Sequence, residues 1–290
     1  MKHLLFIFNA RSGKAQVKEK LCAIVDFYFD QDYLVTLLPI RKINNMQGIL
    51  ETEKIDFIAC AGGDGTLNSV VSVCVQIGCE LPIGYLPMGS TNDFARTLGY
   101  DENFSRALRR SCLGEENWID VGQINDRYFV YVAAFGSLAE VSYDTPQSIK
   151  NWLGHLAYIL NGIQKITELK SYHIKVEADG CSVEDDFCMG FVMNSKSIGG
   201  FRSPLSDMVK LDDGMFEVFL IKTPQNILDV QRIIADLLSG NLQSEMYRYF
   251  QTGYLKMESE KINWTLDGEY GGTVDCAEIK NHKRAVRVVC

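Results

Sequence analysis

Three times in the first third of the chain, an apolar run ends in small polar residues that open a helical pattern. No other feature constrains the fold as strongly. Leu4-Leu5-Phe6-Ile7-Phe8 leads into Asn9-Ala10-Arg11-Ser12-Gly13 and a helix over about 14–29. The run at 56–61 leads into Gly62-Gly63-Asp64-Gly65-Thr66 and a helix from 67 onward. The run at 82–87 leads into Met88-Gly89-Ser90-Thr91-Asn92-Asp93 and a short helix to 98. Short apolar strands alternating with helices predict a parallel sheet covered on both faces. In such a sheet the three loops share the carboxyl edge, where ligands bind.

From about 118 the pattern changes to strands joined by hairpin turns, which places a domain boundary near 120: residues 1–120 as an α/β domain, 121–290 as a β-rich one. One hairpin is expected over 118–134 with its turn at Asn125-Asp126, and another over 171–193 around Asp179-Gly180. Further strands are expected at 215–222 and 261–266. Two helices interrupt this half. One starts at Thr145-Pro146 and carries Trp152, Leu156, Ile159, Leu160 and Ile163 on one face; the other runs over 226–239 and stops at Gly240. Both apolar faces read as core packing in preference to a lipid slot. The final strand is free to return to the first domain.

A net charge of -8 excludes a nucleic-acid binder, which needs clustered Lys and Arg, and it predicts transient rather than steady contact with an anionic membrane. The nine cysteines form no C-x-x-C pair and the four histidines are scattered, so reduced thiols and no zinc site are expected. Asn9 and Arg11 cut the first apolar run too short for a signal peptide, and no run approaches the roughly 20 apolar residues of a spanning helix. A soluble chain is predicted.

Gly62-Gly63-Asp64-Gly65-Thr66 would aim backbone N–H groups and a helix dipole at an anion, as a phosphate cradle does. It is neither the dinucleotide fingerprint nor the P-loop, because Asn68 stands where a third glycine is required and no Gly-Lys-Ser/Thr follows. A carboxylate in such a cradle implies an intervening Mg²⁺ or a proton-handling role. The alternative is a tight turn with Asp64 as its N-cap. The 9–14 loop resembles a P-loop ending but fails the Walker pattern, and the 88–93 loop suits phosphate, ribose or metal-bound water as well as plain capping by Thr91 or Asn92; the shared sheet edge of the three loops is what favours a crevice lined with N–H donors.

The stretch 62–68 together with 87–95, Pro87-Met88-Gly89-Ser90-Thr91-Asn92-Asp93-Phe94-Ala95, resembles the catalytic domain of the diacylglycerol kinase family of lipid kinases. Asn9-x-x-Ser12-Gly13 fits the family's first nucleotide loop. The resemblance continues through Val141-Ser142-Tyr143, Lys210-Leu211-Asp212-Asp213-Gly214 and Leu266-Asp267-Gly268-Glu269-Tyr270-Gly271-Gly272, so it spans essentially the whole chain, and it is nearest to the soluble bacterial members. It implies a Rossmann-like α/β nucleotide-binding domain of the phosphofructokinase and NAD kinase type, followed by a C-terminal β-sandwich domain. It implies ATP and Mg²⁺ as cofactors. By position, Asn9, Ala10, Arg11, Ser12, Gly13, Gly63, Asp64, Gly65, Thr66, Leu67, Asn68, Ser69 and Ser90 would contact ATP. Asp64 and Asp93 would govern the catalytic Mg²⁺ and its waters, and Glu269 would be the general base. A structural Mg²⁺ would take the Asp213 side chain and the carbonyls of Lys210 and Met215. Without the resemblance, 212–214 and 266–269 read as simple turns.

The implied activity is transfer of the γ-phosphate of ATP to a lipid hydroxyl, diacylglycerol first, by a cytoplasmic enzyme of phospholipid metabolism that visits the membrane during turnover. Close relatives suggest a dimer. Two alternatives stand: an NAD kinase, which shares the Gly-Gly-Asp-Gly-Thr loop, and a catalytically silent nucleotide-binding regulator. Ile40 departs from the pattern, since close relatives place a threonine hydroxyl there.

Overall fold

The apolar runs of the first 120 residues pair as a parallel sheet. β1 (Lys2–Phe8) lies between β2 (Tyr33–Pro39) and β3 (Phe57–Gly62), and β3 pairs on its far side with β4 (Ile83–Pro87). In a computed structural model the described residues are 1–12, 16–90, 92–100, 103–136, 169–195, 197–198, 201–202 and 209–290, in a mixed α/β fold with many strands and few helices. They divide into two units: Met1–Asp120 with Arg284–Cys290, and Val121–Lys283.

Every residue of β3 is buried, as expected of a central parallel strand with both faces covered. β2 is the edge, and its Leu34 and Leu37 are exposed. The helices of this unit are α1 (Gln16–Asp30), α2 (Met46–Thr52), α3 (Asp64–Ile77), α4 (Asp93–Thr97) and α5 (Phe104–Leu113). Val17, Ile24 and Tyr28 of α1 pack with Leu4, Phe6 and Phe57 in one core. α3 ends where Gly78 takes a left-handed conformation (φ 64°), which a residue with a Cβ adopts only with strain. The chain's last residues complete the sheet. Val288 pairs in parallel with Ile83, and Cys290 exchanges two backbone hydrogen bonds with Glu115 at 3.0 and 3.2 Å.

The second unit holds the hairpins. β5 (Glu116–Ile124) begins in the first unit and turns at Asn125 into β6 (Arg127–Phe129). The expected second arm of this hairpin is not continuous, because it breaks at Val130 and Tyr131 and resumes as β7 (Val132–Gly136). At the break the Asp267 carboxylate takes the N–H groups of Val130 and Tyr131, and that of Val132 where the strand resumes. β8 (Tyr172–Ala178) and β9 (Cys181–Met193) join through a two-residue turn, and β9 starts earlier than its apolar run because 181–186 alternate in burial against β8. β12 (Phe216–Lys222) pairs with β9 and with β13 (Tyr247–Thr252). The short β10 (Ser197–Ile198) and β11 (Phe201–Arg202) pair with each other.

β14 (Tyr254–Leu266) meets β8 over its first half and β7 over its second, and runs antiparallel to β15 (Glu269–Val289). β9 likewise shares its length between β8 and β7. These long strands wrap a core of Phe129, Phe135, Phe187, Phe216 and Trp264. α6 (Ile227–Ser239) stops at Gly240 as expected, while Asn226, expected as its first residue, is its N-cap, the side chain accepting the N–H groups of Leu228 and Asp229. The helix expected from Thr145 and the Val141-Ser142-Tyr143 motif lie outside the described residues.

Candidate functional site

The three predicted loops meet at the carboxyl ends of β1, β3 and β4 and are tied to one another by hydrogen bonds. The Asn9 side chain folds back on its own loop, its Oδ1 accepting the Arg11 N–H at 3.0 Å. Its Nδ2 reaches Thr66 Oγ1 at 3.4 Å. Ser12 Oγ accepts the Gly63 N–H at 3.1 Å, and the Gly62 carbonyl accepts the Met88 N–H at 2.7 Å. Gly63 and Gly89 pass so closely that a Cβ on Gly89 would stand 2.4 Å from the Gly63 Cα. Asn92, left-handed at φ 53°, clasps Gly89 from both sides: its Oδ1 accepts the Gly89 N–H at 2.8 Å and its Nδ2 donates to the Gly89 carbonyl at 3.1 Å.

α3 starts from Gly63, a residue with no side chain to cap the N–H groups of its first turn, and a helix N-terminus favours an anion. Asp64 is therefore not the N-cap of its own helix. Its carboxylate turns across to α4, where Oδ2 accepts the Asp93 N–H at 2.9 Å and Oδ1 the Phe94 N–H at 3.2 Å, with the Tyr85 hydroxyl at 3.5 Å. Asp93 opens α4 and is only 4% exposed. Two of the expected acids are thus brought together, within one unit. Ser90 and Ala10 are exposed on their loops, while Leu67 is fully buried, so only its backbone faces the loop. Asn68 and Ser69 are half-buried; Asn68 Oδ1 accepts the Ser72 hydroxyl and Ser69 donates to the Gly65 carbonyl at 2.9 Å. Gly13 and Thr91 lie outside the described residues.

In the second unit, Leu266-Asp267-Gly268-Glu269 forms a two-residue hairpin with Asp267 at φ 50° and Gly268 at φ 83°, the pattern of a type I′ turn. Glu269 is exposed at the first position of β15. What sequence reasoning missed is Asp267, buried at 5% exposure. Its Oδ2 accepts the Val130 N–H at 2.7 Å and its Oδ1 those of Tyr131 and Val132 at 3.0 Å each. The Asp-Gly pair signalled the turn, but nothing local signalled an acid fastening a strand more than a hundred residues earlier.

Asp213 Oδ1 accepts the Met215 N–H at 3.0 Å across a turn in which Gly214 is left-handed, and Lys210 is exposed. Among the described residues no group of three or more His, Cys, Asp or Glu could hold a metal. A protein cage is not what Mg²⁺ needs, since it is usually held by one or two carboxylates with phosphates and waters. The carboxyl of Asp64, held by two backbone N–H groups, and that of Asp213, held by one, fit that chemistry.

Three interlocked loops at one parallel-sheet edge, a helix that starts from a glycine and two adjoining acids make an α/β site of the kind that suits phosphate. Residues 3–124 match the diacylglycerol kinase catalytic domain. The protein is 32% identical over its full chain to a diacylglycerol kinase of Bacillus subtilis, covering 96% of that protein, and 30% identical over 99% of its chain to one of Staphylococcus aureus, covering 92%. Two crystal structures of Bacillus anthracis proteins named diacylglycerol kinase share the fold, with TM-scores of 0.80 and 0.74 at 23% and 19% identity, each over 99% of this chain and 95% and 96% of theirs. The chain belongs to the diacylglycerol kinase family. Among the described residues no helix is long and apolar enough to cross a membrane.

Proposed function

We propose that this protein transfers the γ-phosphate of ATP to the free hydroxyl of diacylglycerol, giving phosphatidic acid. The observation that carries this reading is the interlock of the 9–12, 62–66 and 88–93 loops around the N-terminus of α3. In this reading the first unit is a Rossmann-like nucleotide domain and the second a β-sandwich. Asn9 to Gly13, Gly63 to Ser69 and Ser90 contact ATP. Asp64 and Asp93 orient Mg²⁺ and its waters, and Mg²⁺ supplies charge neutralisation at the transferring phosphate.

Phosphoryl transfer demands positioning more than covalent help, and the loops supply fixed N–H donors for it. Glu269, exposed at the mouth of its turn, accepts the proton that the attacking hydroxyl sheds. Asp213, with the Lys210 and Met215 carbonyls, holds a structural Mg²⁺. The net charge of -8 fits an enzyme that meets the membrane only during turnover, from the cytoplasm, as a homodimer.

The test is transfer from γ-labelled ATP with Mg²⁺ to diacylglycerol, monoacylglycerol, sphingosine, ceramide, phosphatidylglycerol and NAD in parallel, the lipids in mixed micelles. Labelled phosphatidic acid is the expected product. Transfer to NAD alone would make the protein an NAD kinase, and ATP binding without transfer to any acceptor would make it a silent regulator.

A further inference from the structure

α3 ends in a motif that places two thiols against each other. Beyond its last turn the left-handed Gly78 donates its N–H to the Val75 carbonyl at 3.3 Å, and Cys79 donates its own to the Cys74 carbonyl at 2.8 Å. This pair of bonds is the Schellman closure, in which the side chains four residues before the left-handed residue and one after it commonly touch; an apolar contact usually fills that place. Here Cys74 and Cys79 fill it, and each shifts the other's titration. Cys74 is fully buried, whereas Cys79 is only half-buried.

We propose that Cys74 and Cys79 are a peroxide-responsive dithiol that closes to a disulfide across the C-terminal cap of α3. Cys79 is the group that meets the oxidant. The neighbouring Cys74 holds its thiol down at about 6 against the upward push of burial, which favours the reactive thiolate. Burial pushes Cys188 up to about 12 and Cys112 up to about 11. The Cys79 thiolate attacks one oxygen of hydrogen peroxide; an S–O bond forms, the O–O bond breaks, and the departing hydroxide takes up a proton. Cys74 sulfur then attacks the sulfenic sulfur, the S–S bond forms, and water leaves with the Cys74 proton. Two thiols and one peroxide become one disulfide and two waters. Cys74, sealed from solvent, is the resolving partner.

The full chain is exposed to a few equivalents of hydrogen peroxide and mapped by peptide mass spectrometry without reduction. A Cys74–Cys79 bridge is expected in preference to any other cysteine product. In Cys74→Ala the sulfenic acid should persist at Cys79 and be trapped by dimedone, and in Cys79→Ser position 74 should stay reduced. Should the Cys74 variant fold poorly, alkylation of the wild-type protein is independent of it. The Cys79 rate should fall only about two-fold from pH 8 to pH 6, against roughly eighty-fold for an ordinary thiol. A Cys79 that stays reduced while other cysteines oxidise, or that alkylates with the ordinary pH dependence, overturns the proposal.

Discussion

The Asp64 carboxylate accepts the backbone N–H of Asp93 at 2.9 Å, and this one bond joins the Gly-rich loop of β3 to the first turn of α4. With the second bond to Phe94 at 3.2 Å, Asp64 caps a helix other than its own. A residue expected to serve the metal therefore also builds the loop that carries the second acid. Asp64→Ala should cost about 1–2 kcal/mol in urea unfolding, the range for a lost N-cap, as well as abolishing transfer. Asp64→Asn keeps one acceptor oxygen and should recover much of the stability while remaining inactive. Full stability in the alanine variant would show that the capping bonds contribute nothing.

The glycine crossing makes a sharper claim about nucleotide binding. A Cβ on Gly89 would lie 2.4 Å from the Gly63 Cα and 2.6 Å from Asn92 Oδ1, whereas one on Gly63 would meet Gly89 at 3.2 Å. The first clash is with backbone and cannot be relieved by rotating a side chain. Gly89→Ala should lower the unfolding free energy by roughly 1–3 kcal/mol, as overpacking does, and weaken ATP binding by calorimetry at least ten-fold. Gly63→Ala should be the milder of the two.

How far these relationships could be read beforehand follows from their range along the chain. The strand, loop, helix joints are local, and β1, β3 and β4 with the helices after them fall within a few residues of where apolar runs and turn residues put them. The Asn226 cap and Gly240 stop of α6 are likewise local chemistry. Asp64 reaching Asp93, and Asp267 reaching Val130, depend on how separate segments come together, and an acid in a turn looks the same whether or not it does so. The broken strand at Val130 was invisible for that reason, and β14 extended seven residues earlier than its apolar stretch because β8 and β15 cover a mixed sequence there.

Adjacent acids at 267 and 269 should separate cleanly in their effects. Glu269 is exposed and its removal disturbs no core, so Glu269→Gln should leave the melting temperature and ATP binding unchanged while lowering transfer about 10²–10⁴-fold. Asp267→Ala strands three backbone N–H groups and should cost about 3–5 kcal/mol, enough to show as a large loss of melting temperature. If Glu269→Gln turned over normally, the general-base assignment would fail while the fold reading stood.

Glu217 gives a pH dependence with a definite sign. It is 1% exposed in the middle of three strands, its Oε1 accepts the Gln251 amide at 3.1 Å, and its Oε2 has no partner. Burial pushes its carboxyl up from 4.5 to about 7; the Gln251 bond opposes this and the negative charge of Asp213 adds to it. Between those two values the folded chain holds a proton that the unfolded chain has released, so stability falls as pH rises from about 4.5 through about 7 and is flat in this respect on either side. Glu217→Gln is neutral at every pH and keeps the contact with Gln251. In EDTA, so that no divalent ion pairs with the carboxylate, urea unfolding should show the variant overtaking the wild type by about 2–3 kcal/mol between pH 5 and pH 8. Parallel stability curves for the two proteins across that window would mean that Glu217 is ionised in the folded state and compensated by a group this packing does not identify.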